Sequence, residues 1–521
     1  MTNSVTWRQS CSAVMALMLA VVLVACVENP LTGERELGFV SMERQITIGE
    51  QQYVPAQQMQ GGRYQVDPAL SEYVQDVGQR VAAHSGVDLP YEFVVLNNSV
   101  PNAWALPGGK LAINRGLLTE LRNEAELAAV LGHEVVHAAG RHGAKALERS
   151  VVSQAVLLGV AIGAADSEYA GTALGAAQMA AGLLNQKYGR NAEREADFYG
   201  TRFMAEAGYD PYGAVTLQET FLRLSAGNNP SWVEGLFASH PPSAERVANN
   251  RALVEELRAE GFTDGEFGAQ AYQDALRPLR TDLPAYEAYD QAREALAEKR
   301  FDAAESLVAR AIELQGREAA FHGLRGNLRL AQERYGDAEI NYDRALERDD
   351  EYFAYFVGRG VARARQGRSA PAKQDFTRSM ALLPTATAYN ELGRLAEADG
   401  DMDTALRYYQ TAAQSDSATG RQARERALRL DLPRHPERYV AVRVSGDSAG
   451  RLVLEVGNQT SLALNNVTVL VETLDSAGAR QRYERTLRDL QGGAARLVLV
   501  TDDAAGVVDA RAQVTAAEIA R

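Results

Sequence analysis

"LAAVLGHEVVHAAGRHG", residues 127–143, sets His133, Glu134 and His137 in a stretch that is otherwise mostly apolar and rich in alanine. Leu127, Val130, Leu131, Val135 and Val136 give it the character of a buried helix. Helix positions four apart share a face, so His133 and His137 point the same way, one turn apart. Two imidazoles so placed reach one zinc ion at about 2.1 Å. Glu134 lies beside the first of them and turns toward water on that ion, the position of a general base.

The third ligand decides the class of site. One zinc pattern needs a Gly three residues after the second His and a His three beyond that. Gly140 fits, but His142 comes one residue early and position 143 is Gly. A glutamate from a second helix is the other route, and "YGRNAEREADFYG" (188–200) supplies it. Glu193 and Asp197 lie four apart on one face. Glu193 completes a His-His-Glu set with an open fourth position. Asp197 accepts the other N–H of His133 and fixes its tautomer. A charged, solvated helix face is the plain alternative for Glu193, Arg194, Glu195 and Asp197.

The rest of the chain frames this site. At 521 residues it exceeds one ordinary core, so about three domains are expected. It is 46% hydrophobic and 23% charged, with a formal net charge of −14. That charge argues against a nucleic-acid backbone as the main partner, which would call for a basic face. Residues 1–25 read as a signal peptide: Arg8, the apolar run "AVMALMLAVVLVA" (13–25), then Cys26. Leu23-Val24-Ala25-Cys26 looks like a bacterial lipobox with Cys26 as the lipidated residue; an ordinary cleaved signal or an uncleaved anchor is the alternative. Val27 after the Cys resembles outer-membrane sorting. Cys11 leaves with the signal, so no intrachain disulfide is expected. "VVSQAVLLGVAIGAA" (151–165), ended by Asp166 and Glu168, reads as a buried or lid helix; a membrane-inserted helix is the alternative.

Pro107-Gly108-Gly109 marks a turn and "KLAIN" (110–114) a strand. With Lys110, Leu111, Ala112, Ile113 and Asn114 at a sheet edge beside the metal, an extended peptide would pair with that edge by backbone alone. An ordinary hairpin is the alternative.

Residues 28–255 resemble the gluzincin peptidases of the CaaX prenyl-protease and HtpX heat-shock type. The resemblance is carried by His133-Glu134-x-x-His137, Glu193-x-x-x-Asp197, "NPLTGERELGFVSMERQITIGEQ" (29–51), "NAWALPGGKLAINRGLL" (102–118), "HAAGRH" (137–142) and "SHPPSAER" (239–246). It implies a mainly α zincin-type domain with a small sheet, one Zn²⁺ per chain, and peptide hydrolysis in which Glu134 shuttles the proton. It also implies that His240 sits near the metal, as a reversible fourth ligand or as a donor to the tetrahedral intermediate, and that Arg246 binds oxyanion or substrate. His84, His322 and His435 carry no motif and read as surface residues.

From residue 285 a repeat appears. Ala304, Ala338, Ala372 and Ala405 are spaced 34, 34 and 33 apart. Val308, Tyr342, Phe376 and Tyr409 follow four residues on; Ala311, Ala345, Ser379 and Ala412 three further; Ala292, Gly326, Gly360 and Gly393 precede by twelve. These columns resemble the tetratricopeptide repeat, an α-solenoid, with "GRQARERALRLDL" (420–432) as its cap. From about 437, alternating stretches divided by Gly, Asn and Asp predict a small β-sandwich, immunoglobulin-like in outline.

The expected organisation is a signal peptide (1–25), a tether (26–40), a metallopeptidase domain (41–255), a linker (256–284), repeats with their capping helix (285–432) and a β-sandwich (436–521). The expected function is zinc-dependent cleavage of unfolded or misassembled envelope proteins. The location would be the periplasm, anchored by lipid to the outer membrane of a Gram-negative bacterium. Protein partners, outer-membrane assembly machinery among them, would bind the repeats. The alternative is a repeat scaffold or chaperone with a latent zinc site.

Overall fold

The computed structural model describes residues 26–149, 173–184, 187–226, 235–504 and 506–520. The expected signal peptide and most of the 151–165 stretch's surroundings, including that stretch itself, lie outside them. The chain divides into two compact units, Met1–Pro384 and Thr385–Arg521. No described helix is long and apolar enough to cross a membrane.

The first unit begins with a hairpin of β1 (Cys26–Glu28) and β2 (Arg35–Leu37). Asn29 makes its turn: the side-chain oxygen accepts from the N–H groups of Leu31 and Thr32. Helix α1 (Met42–Met59) starts at Ser41, whose hydroxyl accepts from Arg44 N–H, and α2 (Pro68–Ala82) starts on a proline. Next come β3 (Glu92–Leu96), β4 (Ala103–Leu106) and β5 (Lys110–Asn114). Gly108 and Gly109, at φ +82° and +87°, turn β4 into β5.

The sheet order is β3-β5-β4, with β5 parallel to β3 and antiparallel to β4. This corrects the expectation for Lys110–Asn114. Lys110, Leu111, Ala112, Ile113 and Asn114 form the central strand, with both sides paired, and cannot accept a further strand. The edges are β3 and β4. On β3, Val95 O accepts from Tyr64 N–H and Phe93 N–H donates to Gln75 Oε1, which closes that edge. On β4, Asn102 O accepts from Asn114 N–H, so by antiparallel alternation Ala103 and Ala105 turn their N–H and C=O groups away from β5.

The motif segment is helix α3 (Glu124–Ala139), buried along its whole length, with Asn123 accepting from Glu126 N–H at its start. It is followed by α4 (Ala173–Leu184), α5 (Arg190–Glu206), α6 (Tyr212–Ala226) and α7 (Ala244–Ala259). Helices α3 and α5 cross at paired glycines: a Cβ on Gly132 would lie 2.8 Å from Gly200 O, and one on Gly200 would lie 2.8 Å from His133 N.

The expected linker is part of the core. Helix α8 (Ala269–Ala297) runs through Pro278 and Pro284. Its Tyr272, Leu276 and Leu279 are fully buried in the same core as α3. Short helices then pair as hairpins: α8 with α9 (Phe301–Leu314), α10 (Ala319–Ala331) with α11 (Tyr335–Leu346), and α12 (Phe353–Arg365) with α13 (Ser369–Leu382). The repeat columns are its contacts. A Cβ on Gly326 would meet the Tyr342 ring at 2.8 Å, and one on Gly360 the Phe376 ring at 2.8 Å. Ala304, Ala338 and Ala372 are buried at the helix crossings. His322 is buried too, its Nε2 3.2 Å from Gly316 O, which corrects its expected place at the surface.

In the second unit α14 (Ala386–Ala398), α15 (Met402–Ala412) and α16 (Ala418–Asp431) continue the pattern, with Gly393 against the Tyr409 ring. Beyond them lie β6 (Val440–Gly446), β7 (Leu452–Asn458), β8 (Leu464–Asp475), β9 (Arg480–Leu487), β10 (Ala495–Thr501) and β11 (Val507–Ile519). They form two small open antiparallel sheets, β10-β7-β6 and β11-β8-β9, over one core that includes Leu454, Val456, Val469, Val471 and Val514.

Candidate metal centre

Helix α3 presents His133 and His137 on one face, and α5 lays Glu193 across them. His133 Nε2 and His137 Nε2 are 3.1 Å apart. Glu193 Oε2 lies 3.5 Å from His133 Nε2, and its Oε1 3.4 Å from His137 Nε2. His240 follows the one-turn helix Leu236–Ser239 and enters the same space. Its Nδ1 is 3.2 Å from His133 Nε2 and 3.0 Å from Glu193 Oε1. One donor atom from each of these four residues lies within 4.8 Å of the others.

These residues fit a zinc ion. Two ligands on a tetrahedral ion at about 2.1 Å stand about 3.4 Å apart, close to the nitrogen and oxygen separations here. Both Nε2 atoms turn inward, and buried Glu193 Oε2 accepts no hydrogen bond, although Arg246 Nη1 lies 3.2 Å from it as an ion pair. Three or four nitrogen and oxygen donors are the set zinc prefers.

Electrostatics support a cation at this point. Burial lowers the His133 pKa, but the Glu193 and Asp197 carboxylates outweigh it and push it up to about 9. His137 is driven well below its usual value by burial, with the charges of His133 and His142 adding to the effect. Burial works against ionised Glu193, yet His240 and His133 hold its pKa far below the carboxylate range. Glu134 differs: burial raises its pKa. Its Oε1 lies 3.5 Å from His240 Nε2, and its Oε2 has no hydrogen-bond partner.

Asp197 Oδ1 lies 3.1 Å from His133 Nδ1, as the spacing predicts. Arg246 departs from expectation. Its Nε and Nη2 each donate to Asp197 at 2.7 Å, and its Nη1 lies 3.2 Å from Glu193 Oε2. The guanidinium is taken up by two protein carboxylates, so a free oxyanion-binding arginine is replaced by one that braces Asp197 and Glu193. Cys26 lies at the start of β1, and Lys110–Asn114 lie in the sheet beneath α3 and do not reach the donors.

Sequence reading missed three contacts. Tyr188 stacks on His137 with ring centroids 3.9 Å apart. His142 Nδ1 lies 2.8 Å from His137 Nδ1, and Glu195 lies 3.4 Å from the other His142 nitrogen. His142, so close after His137, was a visible signal; Glu195 was hidden among solvent-like charges.

The profile of Peptidase family M48 matches residues 68–254. The chain is 34% identical over 201 residues to the putative beta-barrel assembly-enhancing protease of Vibrio cholerae, covering 36% of this chain and 40% of that one. With the Escherichia coli beta-barrel assembly-enhancing protease it shares 29% over 219 residues, 39% of this chain and 45% of the other. The chain thus spans less than half the length of these two relatives. With the mitochondrial metalloendopeptidase OMA1 of Schizosaccharomyces pombe it shares 34% over 241 residues, 45% of this chain and 68% of that one. Among solved structures, the Arabidopsis OM64 TPR domain matches at a TM-score of 0.22 and 24% identity, over 23% of this chain and 98% of that one. A thermophilic TPR protein of Thermus thermophilus matches at 0.26 and 20%, over 34% and 95%. The repeats rest on their own helix pairs rather than on likenesses of that size. The family match spans all four donor residues, and it agrees with the relative whose length is two-thirds covered: the chain belongs to peptidase family M48.

Proposed function

We propose that the chain is a zinc-dependent endopeptidase that hydrolyses peptide bonds in unfolded or misassembled envelope proteins. The observation that carries this reading is the convergence of His133, His137 and Glu193 beside a buried carboxylate, Glu134, that has an oxygen to spare. Bound there, the ion supplies a Lewis acid and a water of lowered pKa. Every other task falls to the chain. Glu134 Oε2 takes a proton and returns it to the leaving nitrogen, a role suited to a carboxyl whose pKa burial raises. Asp197, gripped by Arg246, holds His133 in the tautomer that frees Nε2. A small recess beside His133 and Glu134 is lined by Val130, Leu217 and Leu236 together with Thr201, Gln218 and Asn250.

The rest follows the expected organisation. Cys26 is the lipidation site, the compartment is the periplasm, and the anchor is to the outer membrane. The repeats hold protein partners, outer-membrane assembly machinery among them. The two C-terminal sheets form an immunoglobulin-like sandwich. The relatives named for β-barrel assembly support the envelope compartment and the assembly partners, and the lipid anchor rests on Leu23-Val24-Ala25-Cys26 alone.

A second reading has its own observation. His240 makes a fourth donor and lies against both Glu193 and Glu134, as in a latent site on a scaffold protein. Digestion of casein by the purified chain separates the two. Cleavage that zinc chelation and Glu134→Gln both stop is the expected result, with a gain in His240→Ala. No cleavage by any variant, with zinc bound stoichiometrically, would favour the scaffold.

A further inference from the structure

A second line of polar contacts runs from His137 back to the N-terminal hairpin. His142, 3% exposed, lies with Nδ1 2.8 Å from His137 Nδ1 and Nε2 3.4 Å from Glu195 Oε1. The same Glu195 oxygen accepts from Asn29 Nδ2 at 3.2 Å. Asn29 is fully buried, and its Nδ2 also lies 3.3 Å from Glu36 Oε1, which pairs with Lys145 at 2.8 Å. A second clamp lies alongside. Glu148 Oε1 accepts from the N–H groups of Phe39 and Val40, and Arg141 donates to Val40 O and pairs with Glu148.

The contacts have a direction. A neutral imidazole that offers Nε2 to a cation carries its proton on Nδ1. His137 Nδ1–H therefore donates to His142 Nδ1, and His142 keeps its proton on Nε2, facing Glu195. The opposite tautomer of His142 would set two N–H groups head to head at 2.8 Å and a lone pair against a carboxylate. The arrangement parallels that of His133, which Asp197 holds directly with Arg246 behind it. Helix α5 thus serves both histidines: Asp197 for one, Glu195 through His142 for the other.

We propose that His142, Glu195 and Asn29 are positioning residues that fix His137 Nε2 toward the ion. The hairpin at residues 26–37 is then a working part of the metal centre rather than a spacer. This rests on the zinc-centre reading above, and the experiment tells the two apart. Zinc affinity is measured by competition with a chromogenic chelator, and the visible spectrum is recorded for the cobalt-substituted protein. Glu195→Ala, Glu195→Gln and Asn29→Asp are compared with the parent, and Arg194→Ala, on the exposed side of α5, is the control. The Glu195 side chain is 20% exposed, so its removal leaves the core intact. Asn29→Asp sets a third carboxylate against Glu195 and Glu36 without changing size. Glu195→Ala and Asn29→Asp are expected to weaken zinc binding by about 10- to 100-fold and to shift the cobalt band. Glu195→Gln, which keeps an acceptor oxygen, recovers part of the loss, and Arg194→Ala stays at the parent's affinity. Parent-like affinity and an unchanged cobalt band in both Glu195→Ala and Asn29→Asp would overturn the relay and leave the zinc centre standing. A parent that takes up no zinc would overturn both.

Discussion

Substituting Gly200 with alanine tests whether the crossing of α3 and α5 sets the metal geometry. The new Cβ would lie 2.8 Å from both Gly132 C and His133 N, where ordinary contact starts at 3.4 Å. Neither neighbour is a flexible side chain, so the helices must part by about 0.6 Å at the crossing, the difference between those distances. Glu193 rides on one helix and both histidines on the other, and ligand distances tolerate about 0.2 Å. A shift of this size is expected to weaken zinc binding about 10-fold and to lower casein turnover by about 10- to 100-fold. Stability moves less. Overpacking costs about 1–3 kcal/mol, and the better helix propensity of alanine offsets about 1 kcal/mol of it. The assay is chelator competition and turnover on Gly200→Ala, beside Gly182→Ala, whose Cβ would meet nothing within 4 Å. Parent-like zinc affinity and turnover in Gly200→Ala would refute the claim that this contact sets the site.

Zinc binding should depend on pH through His133. With its pKa near 9 in the metal-free protein, zinc must displace a proton at neutral pH. Apparent affinity should rise about tenfold per pH unit from 7 to 9 and then level off; a flat profile by chelator competition counts against it. The sign for the fold is opposite: the raised pKa stabilises the metal-free protein fully below 6.5, and that contribution fades as pH climbs to about 9. Arg246→Lys keeps the charge but loses the fork on Asp197, so zinc affinity should fall about tenfold. Arg246→Ala leaves buried carboxylates without their partner and should cost about 3–5 kcal/mol in denaturant unfolding. Gly360→Ala drives a Cβ into the Phe376 ring at 2.8 Å and should destabilise the repeats by about 1–3 kcal/mol, while zinc affinity stays put.

Periodicity made half of this structure legible. His133 and His137 had to share a helix face, and the glycine and aromatic columns of the repeats had to meet at a fixed spacing; both are short-range consequences of helix geometry. What failed was whatever depended on a neighbour from elsewhere in the chain. "KLAIN" alternates in the same way at an edge or in a centre, and only the arrival of β3 on its other side makes it central. Residues 256–284 read as a linker before the repeats, yet Tyr272, Leu276 and Leu279 carry α8 through the core. Strand β11 escaped notice because "VVDARAQVTAAEI" is rich in alanine and charge, and its pairing with β8 supplies what its own sequence lacks. The charged face of α5 is the sharpest case. Spacing by four selected Glu193 and Asp197 and consigned Glu195, on another side of the helix, to solvent. After α3 the chain turns at Gly140 and Arg141 and starts a new helical stretch whose first residue, His142, faces that side, and the hairpin at Asn29 closes over the pair. A helix's period reports which residues point together; what they point at is decided by the path of the chain, and here that path brings a third carboxylate of α5 to the metal centre.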